Sequence, residues 1–463
     1  MVSKKRRSRR KPTAEAATAG SLASSSVEEL LLAALERGDD SFETGRSLVT
    51  FKEGAAQEGL QSLGTQGLRV ADARDFDAQA MTLEAVGDAD AVMFPELGVA
   101  LLGGEPAQAR GFSAFAEIAA DSPIESIDPE YFVFVDGAED EYYRSLGASG
   151  EESQSNPREY LRGFMRAAET ISKDLGLVGA PVAAEEEAEA GAQVLGATWG
   201  VLACRVPQSS RSGAGIRLAV LDTGMDLGHP DFAGRPITSQ TFVGQPVQDL
   251  HGHGTHVVGT AAGPKAPAGN TPRYGIAFQS QIFVGKVLTN SGSGTQAGIL
   301  AGMNWAITNK CAVINMSLGG PGGPHPAYTA AGQAALNNGC LIIAAAGNSG
   351  PGPTLQPANS PTIMAVASLD KTLVPSSFSC RGKIEIAGPG RDIFSSWPRP
   401  TRYKTISGTS MACPHVVGCG ALWAHLAPGL RGQTLWNKLR ASAKALPFPP
   451  TQVGRGLVQA PVP

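Results

Sequence analysis

The sequence has no long apolar run. None of its segments approaches the roughly 20 consecutive apolar residues that a helix needs to span a bilayer. No apolar segment follows the basic N-terminal tip either, because residues 12–28 consist mainly of alanine, threonine, serine, glycine and glutamate. A Sec-type signal peptide is therefore not visible. These absences predict a soluble protein without a membrane span, which is either cytoplasmic or secreted by another route.

Cysteines in metal-binding spacing are also missing. The six cysteines show no CxxC pattern, which argues against a zinc site. Their even number would allow disulfide bonds in an exported protein, whereas the apolar runs around several of them favour buried thiols. The sequence leaves both alternatives open for Cys204, Cys311, Cys340, Cys380, Cys413 and Cys419.

A large excess of one charge is absent as well. The formal net charge is −4, which gives no reason to expect a nucleic-acid partner. The exception is the N-terminal tip, where residues 4–11 carry lysine and arginine with no acid nearby. Such a tip is either a solvated tail or a contact for a polyanion or a membrane surface.

The 463 residues exceed one core of ordinary size, so two or three domains are expected. We predict a flexible basic segment over residues 1–45, with one helix at Val27–Glu36. Strand and helix patterns then follow as β-α-β-β-α-β over residues 46–136, which predicts a small α+β open-faced sandwich. An acidic linker with one helix occupies residues 137–194, and a larger domain occupies residues 195–463.

The larger domain alternates strand and helix patterns. Its strand candidates are almost entirely apolar, as parallel strands buried on both faces should be. We predict an α/β fold with a doubly wound, mostly parallel sheet, in which function lies beyond the carboxyl ends of the strands. The predicted strands are Ile216–Asp222, Gln281–Leu288, Cys311–Met316, Leu341–Ala346, Ile363–Ala367 and Ile384–Ala387, and the predicted helices are Gly254–Ala262, Thr295–Asn309, Tyr328–Asn338 and Pro414–Leu426.

Four polar side chains fall at that edge of the predicted sheet. Asp222 ends the first strand and His253 opens the next helix, while Asn348 follows the strand LIIAAA and Ser410 opens the last large helix. A serine hydroxyl becomes an effective nucleophile only with a base and an orienting acid. Ser410 would attack a peptide carbonyl, His253 would move its proton, and Asp222 would orient the imidazole. The Asn348 amide and the Ser410 backbone N–H would stabilise the oxyanion.

Five segments occur in a fixed order: LAVLDTGMDLGHPDF, HGHGTHVVGTAAG, NMSLGG, AAAGNSG and GTSMACPHVVG. In that order they resemble the signature blocks of the subtilisin-like serine proteases, or subtilases, from about Ala197 to Ala460. The resemblance implies a serine endopeptidase with Asp222, His253 and Ser410 as its triad. It also implies segments that pair with an extended substrate as an added strand. These segments contain Ser317, Leu318 and Gly319 on one side and Gly292, Ser293 and Gly294, with the preceding Ser291, on the other.

Residues 46–136 look like the inhibitory propeptide of the same family, which caps the active site and assists folding. The resemblance therefore implies an enzyme acting on polypeptides, with its own N-terminal domain as a partner. We expect a monomeric zymogen that is processed between Asp136 and Leu195. Two alternatives remain: a dedicated precursor-processing or peptide-ligating serine peptidase, and a non-catalytic binding protein on the same fold.

Side chains around the site are also interpreted through the resemblance. Pro357 matches a proline that is often cis in relatives. Leu355 stands where many relatives carry a smaller residue at a pocket floor, which favours small side chains at the cleaved position. His256 and His415 are predicted to be packed histidines, and Asp249 a local cap acceptor.

Many subtilases carry a calcium loop in the helix that follows the catalytic histidine. The corresponding segment Ala262–Gln279 has no acid and only one asparagine, Asn270. Calcium prefers several oxygen ligands, with carboxylates among them. We therefore predict no metal at this loop and no cofactor.

Overall fold

The computed structural model describes residues 25–37, 42–65, 67–73, 89–103, 122–135 and 196–462. We call the described residues up to 135 the N-terminal region and residues 196–462 the C-terminal region. The second helix of the predicted β-α-β-β-α-β pattern, over residues 107–119, and the helix predicted in the acidic linker after Pro157 lie outside the described residues. All six cysteines lie within the C-terminal region, where they are buried and form no disulfide bond. Within the described residues, no helix combines the length and the apolar character needed to cross a membrane.

The N-terminal region forms one sheet with helices beside it. Its described elements are α1 (Val27–Arg37), β1 (Glu43–Phe51), α2 (Ala56–Thr65), β2 (Val70–Asp72), β3 (Ala91–Phe94), β4 (Val99–Leu102) and β5 (Ile124–Val135). The strands lie in the order β5-β1-β4-β3-β2. Neighbouring strands are antiparallel except for β2 and β3, which run parallel.

This region differs from the prediction at three points. The apolar run 91–103 contains two strands, because the chain turns at residues 95–98. The end of the β-α-β-β-α-β pattern is predicted from the sequence as two short strands, Ile124–Asp128 and Tyr131–Val135, but these residues form the single strand β5, which continues through Pro129. Strand β1 begins at Glu43, before the predicted domain boundary at residue 46, whereas α1 matches the helix predicted at Val27–Glu36. Packing against other elements supplies order that local composition did not indicate.

The two faces of the N-terminal sheet are covered differently. Val49 and Phe51 point to one face and form a small core with Leu63 of α2. Leu48 and Leu101 point to the other face and belong to the core of the C-terminal region. Alternation of side chains along a strand sends neighbours to opposite faces, so one sheet contributes to two cores.

The C-terminal region contains a second sheet. Its strands are β6 (Arg217–Asp222), β7 (Ile237–Thr241), β8 (Gln281–Lys286), β10 (Val313–Met316), β12 (Leu341–Ala345), β13 (Met364–Leu369) and β14 (Ile386–Pro389). They lie in the order β14-β13-β12-β10-β6-β8-β7, and all neighbouring strands are parallel. The doubly wound, mostly parallel sheet is therefore confirmed.

Helices and smaller strands complete this region. The helices are α3 (Trp199–Ala203), α4 (His253–Ala262), α5 (Gln296–Thr308), α6 (Pro326–Asn337), α7 (Thr409–Leu426), α8 (Gly432–Ser442) and α9 (Pro450–Val453). Outside the parallel sheet lie β9 (Ser293–Thr295), β11 (Leu318–Gly319), β15 (Ile393–Ser396) and β16 (Tyr403–Ile406). Helices α4 and α7 pack against each other.

Candidate active site

The acid and the imidazole of the predicted site are in direct contact. Asp222 is the last residue of β6, and its Oδ1 lies 2.8 Å from Nδ1 of His253, the first residue of α4. The same oxygen accepts the backbone N–H of Thr223 at 2.7 Å. Both side chains are buried, with 1% and 4% exposure. The carboxylate therefore fixes the orientation of the ring, with Nδ1 toward the acid.

A second buried carboxylate fixes the start of α4. Asp249 accepts the backbone N–H groups of His251, Gly252 and Thr255 at 3.0, 2.8 and 2.9 Å. It also accepts the hydroxyl groups of Thr255 and Thr223. A buried side chain that accepts this many hydrogen bonds holds the turn rigidly. The prediction that Asp249 is a cap acceptor is confirmed.

The hydroxyl of the predicted site lies in the first turn of α7. Ser410 is fully buried, and its Oγ donates to the Ser317 carbonyl at 3.3 Å. In return, the Ser317 hydroxyl donates to the Ser410 carbonyl at 2.7 Å. Because Ser317 directly follows β10, this reciprocal pair ties the start of α7 to the edge of the sheet where Asp222 lies. The N-terminus of a helix also favours developing negative charge.

The amide of the predicted site is fixed by its own oxygen. Asn348 Oδ1 accepts the backbone N–H of Thr409 at 2.9 Å and the Thr409 hydroxyl at 3.1 Å. A β-carbon added to Gly408 would lie 3.2 Å from Asn348 Nδ2, so the amide nitrogen faces the residue just before Thr409. The Asn348 side-chain oxygen therefore faces the first residue of α7, and its side-chain nitrogen faces the space that Gly408 leaves free because it has no β-carbon.

Two other histidines belong to the core, as predicted. His256 is fully buried, its Nε2 lies 2.9 Å from the Ile393 carbonyl, and burial lowers its pKa to about 3. His415 Nδ1 lies 2.8 Å from the Met411 carbonyl, and burial lowers its pKa to about 4. Both side chains are uncharged packing residues at neutral pH.

The predicted substrate-binding segments are paired with the chain's own strand β5. Leu318 and Gly319 of β11 pair antiparallel with Val135 and Phe134. On the other side, β9 pairs with the same strand, in the register Gly294 to Val133. Beyond β9, Gly292 accepts the Val135 N–H at 2.8 Å. The end of β5 therefore lies as an added strand between the two segments.

The predicted pocket residues lie next to the amide. The Gln356–Pro357 peptide bond is cis. The Leu355 Cγ lies 2.7 Å from the point that a β-carbon on Gly347 would occupy, and Gly347 directly precedes Asn348. Leu355 therefore fills space beside the loop that carries the amide.

The sequence did not predict a buried ion pair where the two regions meet. Arg46 and Glu130 have no exposed side-chain area, and their shortest contact is 2.5 Å. Glu130 also accepts the Ala297 N–H at 2.9 Å in the first turn of α5, and Arg46 donates to Thr295 at 3.2 Å. The two partners are far apart in sequence, so no local pattern links them. The one available signal was the presence of a charged residue within each of two largely apolar strands.

A parallel sheet with a carboxylate, an imidazole, an amide and a hydroxyl at one edge has the features of a serine peptidase. The family model described as "Subtilase family" matches residues 213–456. The chain is 38% identical over 282 residues to the alkaline protease of Alkalihalobacillus alcalophilus, covering 60% of this chain and 72% of that protein. It is 38% identical over 268 residues to Subtilisin Savinase of Lederbergia lenta, covering 57% of this chain and 96% of that protein.

A solved structure is similar as well. It is that of a cold adapted subtilisin-like serine proteinase, with 35% identity, a TM-score of 0.50, and coverage of 57% of this chain and 97% of the other. The chain belongs to the subtilase family. It is a serine-type endopeptidase that acts on polypeptides. The family match begins at residue 213, so the N-terminal region lies outside it.

Proposed function

We propose that Ser410, His253 and Asp222 divide the work of peptide hydrolysis among them. Ser410 Oγ attacks the scissile carbonyl while His253 Nε2 takes its proton, and His253 then protonates the leaving amine. Asp222 keeps the proton of the neutral ring on Nδ1 and stabilises the imidazolium. The observation that carries this proposal is the 2.8 Å contact between Asp222 Oδ1 and His253 Nδ1, at the edge where α7 begins.

The oxyanion of the tetrahedral intermediate is assigned to two donors. These are the Asn348 side-chain amide and the Ser410 backbone N–H, at the positive end of α7. Support comes from the two bonds from Thr409 to Asn348 Oδ1, which prevent the amide from turning its oxygen toward the oxyanion. The proposed reaction uses only these groups of a single chain, and we propose that the enzyme acts as a monomer without a metal or cofactor.

The N-terminal region is assigned the role of an inhibitory prodomain. Its strand β5 uses the backbone groups of β9 and β11 that an extended peptide substrate would use. A substrate cannot bind there while β5 remains in place. We place the autoprocessing cleavage between Asp136 and Leu195, because β5 leads into that part of the chain.

Substitution of Ser410 tests the assignment of the nucleophile. Ser410→Ala should lower kcat by about 10⁶-fold, which is the magnitude measured for the same loss in subtilisin, a relative of this chain. The variant should also keep the full intact mass, while the wild type shows two shorter masses. Ser442→Ala, in α8, serves as the matched control and should behave like the wild type. Equal masses and equal activities for Ser410→Ala and wild type would refute the proposal.

The wild-type protein also allows hydrolysis to be distinguished from peptide ligation. Products formed from a fluorogenic peptide are analysed with and without a large excess of an amine nucleophile. An endopeptidase releases the free acid as the main product in both cases. Capture of most of the acyl group by the amine would instead identify a ligating enzyme.

A further inference from the structure

Strand β5 is buried on both of its faces at the cleft. Val133 and Val135 point into the core of the C-terminal region. Phe132 and Phe134 alternate with them and point the opposite way, yet they are only 0% and 4% exposed. A strand laid into a surface cleft would leave its outer side chains in water. Something else therefore covers the two phenylalanines.

The cover is helix α1. Its apolar residues recur at helical spacing on one side, and that side is buried. They form one cluster with Phe132 and Phe134 of β5 and with Val243 of the C-terminal region. The helix residues in this cluster are Val27, Leu30, Leu31 and Ala34. Helix α1 thus contacts the cleft strand and the C-terminal region at once.

Polar contacts fix the position of α1. Ser26 and Glu29 form a pair of reciprocal hydrogen bonds at its N-terminus. The Ser26 backbone N–H donates to the Glu29 carboxylate at 2.9 Å, and the Glu29 backbone N–H donates to Ser26 Oγ at 3.2 Å. Glu28 accepts from Gln245 Nε2 at 3.1 Å, and Gln245 Oε1 accepts the Asn290 N–H at 2.8 Å. Asn290 immediately precedes the cleft segment 291–294. The helix is therefore hydrogen-bonded to the loop that borders the cleft.

We propose that α1 is a second inhibitory element that holds β5 in the cleft. The surface made by Phe132, Phe134 and Val243 binds one partner, the apolar side of this amphipathic helix of the same chain. The inference rests on the proposed function, in which β5 blocks the site. Backbone hydrogen bonds of β5 exchange readily for bonds to water, whereas the covered aromatic rings lose their burial when they are exposed. Opening of the cleft consequently requires α1 to leave Val243 and Gln245.

The helix offers a matched pair of variants, because Leu31 is 1% exposed and its neighbour Leu32 is 51% exposed. Leu31→Asp and Leu32→Asp are made in the full chain, and a fluorophosphonate probe measures how fast Ser410 becomes accessible. Leu31→Asp should accelerate labelling at least tenfold, while Leu32→Asp should stay within twofold of wild type. Equal rates for the two variants would overturn the proposal.

Two further measurements keep the outcomes distinguishable. The final labelling stoichiometry should equal that of wild type, which shows that the C-terminal region is folded in each variant. If Leu31→Asp does not accumulate as folded protein, the labelling rate of Leu31→Ala is compared with that of wild type instead. Leu31→Ala should accelerate labelling of Ser410 at least threefold. Failure of every form to label at Ser410, even after limited proteolysis of the N-terminal region, would refute the proposed function instead.

Discussion

The two sheets of this molecule achieve burial in different ways. The parallel sheet of the C-terminal region is covered by helices of its own region, among them α4 and α7. The antiparallel sheet of the N-terminal region buries one face under α2 and the other against the C-terminal region, where β1 and β4 contact α6. The first sheet is self-sufficient, and the second depends on the first for half of its core.

The buried carboxylates of the two regions differ in the same way as the two sheets do. In the C-terminal region, the partners of Asp222 and Asp249 among the described residues all belong to that region. At the junction, Glu130 of the N-terminal region is held partly by Ala297 of the C-terminal region. Separation of the two regions therefore breaks a polar network at the junction but leaves the site intact. This arrangement is consistent with the proposed role of the N-terminal region as an inhibitor that is removed.

The largest expected effect breaks this junction. Glu130→Gln removes the partner of a fully buried arginine, Arg46. Removal of one member of a buried ion pair costs about 3–5 kcal/mol, because the remaining charge is uncompensated. In a Ser410→Ala background, hydrogen exchange of the β5 amides should accelerate by about 100-fold or more, while the parallel sheet keeps its protection.

The control for this variant lies on the same strand. Glu125 is exposed on β5, so Glu125→Gln should leave the exchange of β5 amides unchanged within about twofold. Loss of protection in the parallel sheet on Glu130→Gln would contradict the view that only the junction depends on this pair. Unchanged β5 exchange would show that the ion pair does not hold the strand.

Much of the C-terminal region was predictable from sequence. The strand ending at Asp222 and the helix beginning near His253 were placed within one residue, because a parallel strand buried on both faces is a continuous apolar run. The rule that function lies at the carboxyl ends of parallel strands then gathered the polar residues at one edge. The ordered family segments supplied the residue roles, which spacing alone does not supply.

Less of the N-terminal region was predictable. Helix α1 was expected from its periodicity. Its position, however, depends on contacts with Phe132 and Phe134, about 100 residues later in the chain, and a local sequence pattern cannot indicate such contacts. Strand β5 was predicted as two short strands, but pairing with β1 continues it through Pro129. The pairing of Arg46 with Glu130 is likewise a tertiary contact, and a charged residue in a strand ordinarily points to solvent.

A smaller effect is expected from the pocket and concerns the C-terminal region alone. Leu355→Gly opens space beside Gly347, where the leucine Cγ now lies. The ratio of kcat/KM for a peptide with phenylalanine over one with alanine at the cleaved position should rise by about tenfold, within the range that a few methylene groups provide in a pocket. A general loss of activity would lower kcat/KM for both peptides alike and would leave the ratio unchanged. A ratio equal to that of wild type would show that Leu355 does not limit the pocket.

The smallest effect concerns pH at the junction. His325 Nδ1 accepts the Ala327 N–H at 3.2 Å, so its proton is on Nε2, which donates to the Pro129 carbonyl of β5 at 3.2 Å. Burial lowers the pKa of His325, although the Pro129 carbonyl, Asp128 and Glu130 raise it in part. Its other neighbours are the rings of Tyr131 and Tyr328.

The sign of the effect follows from that shift. We expect the docked state to bind fewer protons than the separated state, because separation exposes His325 to water and so removes the burial that lowers its pKa from the ordinary value of about 6.5. Docking is therefore complete above about pH 6.5 and weakens as the pH falls. In the Ser410→Ala background, exchange of β5 amides, corrected for intrinsic rates, should accelerate severalfold between about pH 7.5 and pH 5.5.

Replacement of the histidine identifies the responsible group. Asparagine at position 325 can still cap α6 but does not titrate, so His325→Asn should flatten the pH dependence of β5 exchange. His425→Asn removes a histidine at the far end of α7 and should preserve that dependence. The parallel sheet should show no such dependence in this interval, because burial lowers the pKa values of its packed histidines His256 and His415 to about 3 and about 4. A pH dependence that survives in His325→Asn would assign the effect to another group at the junction.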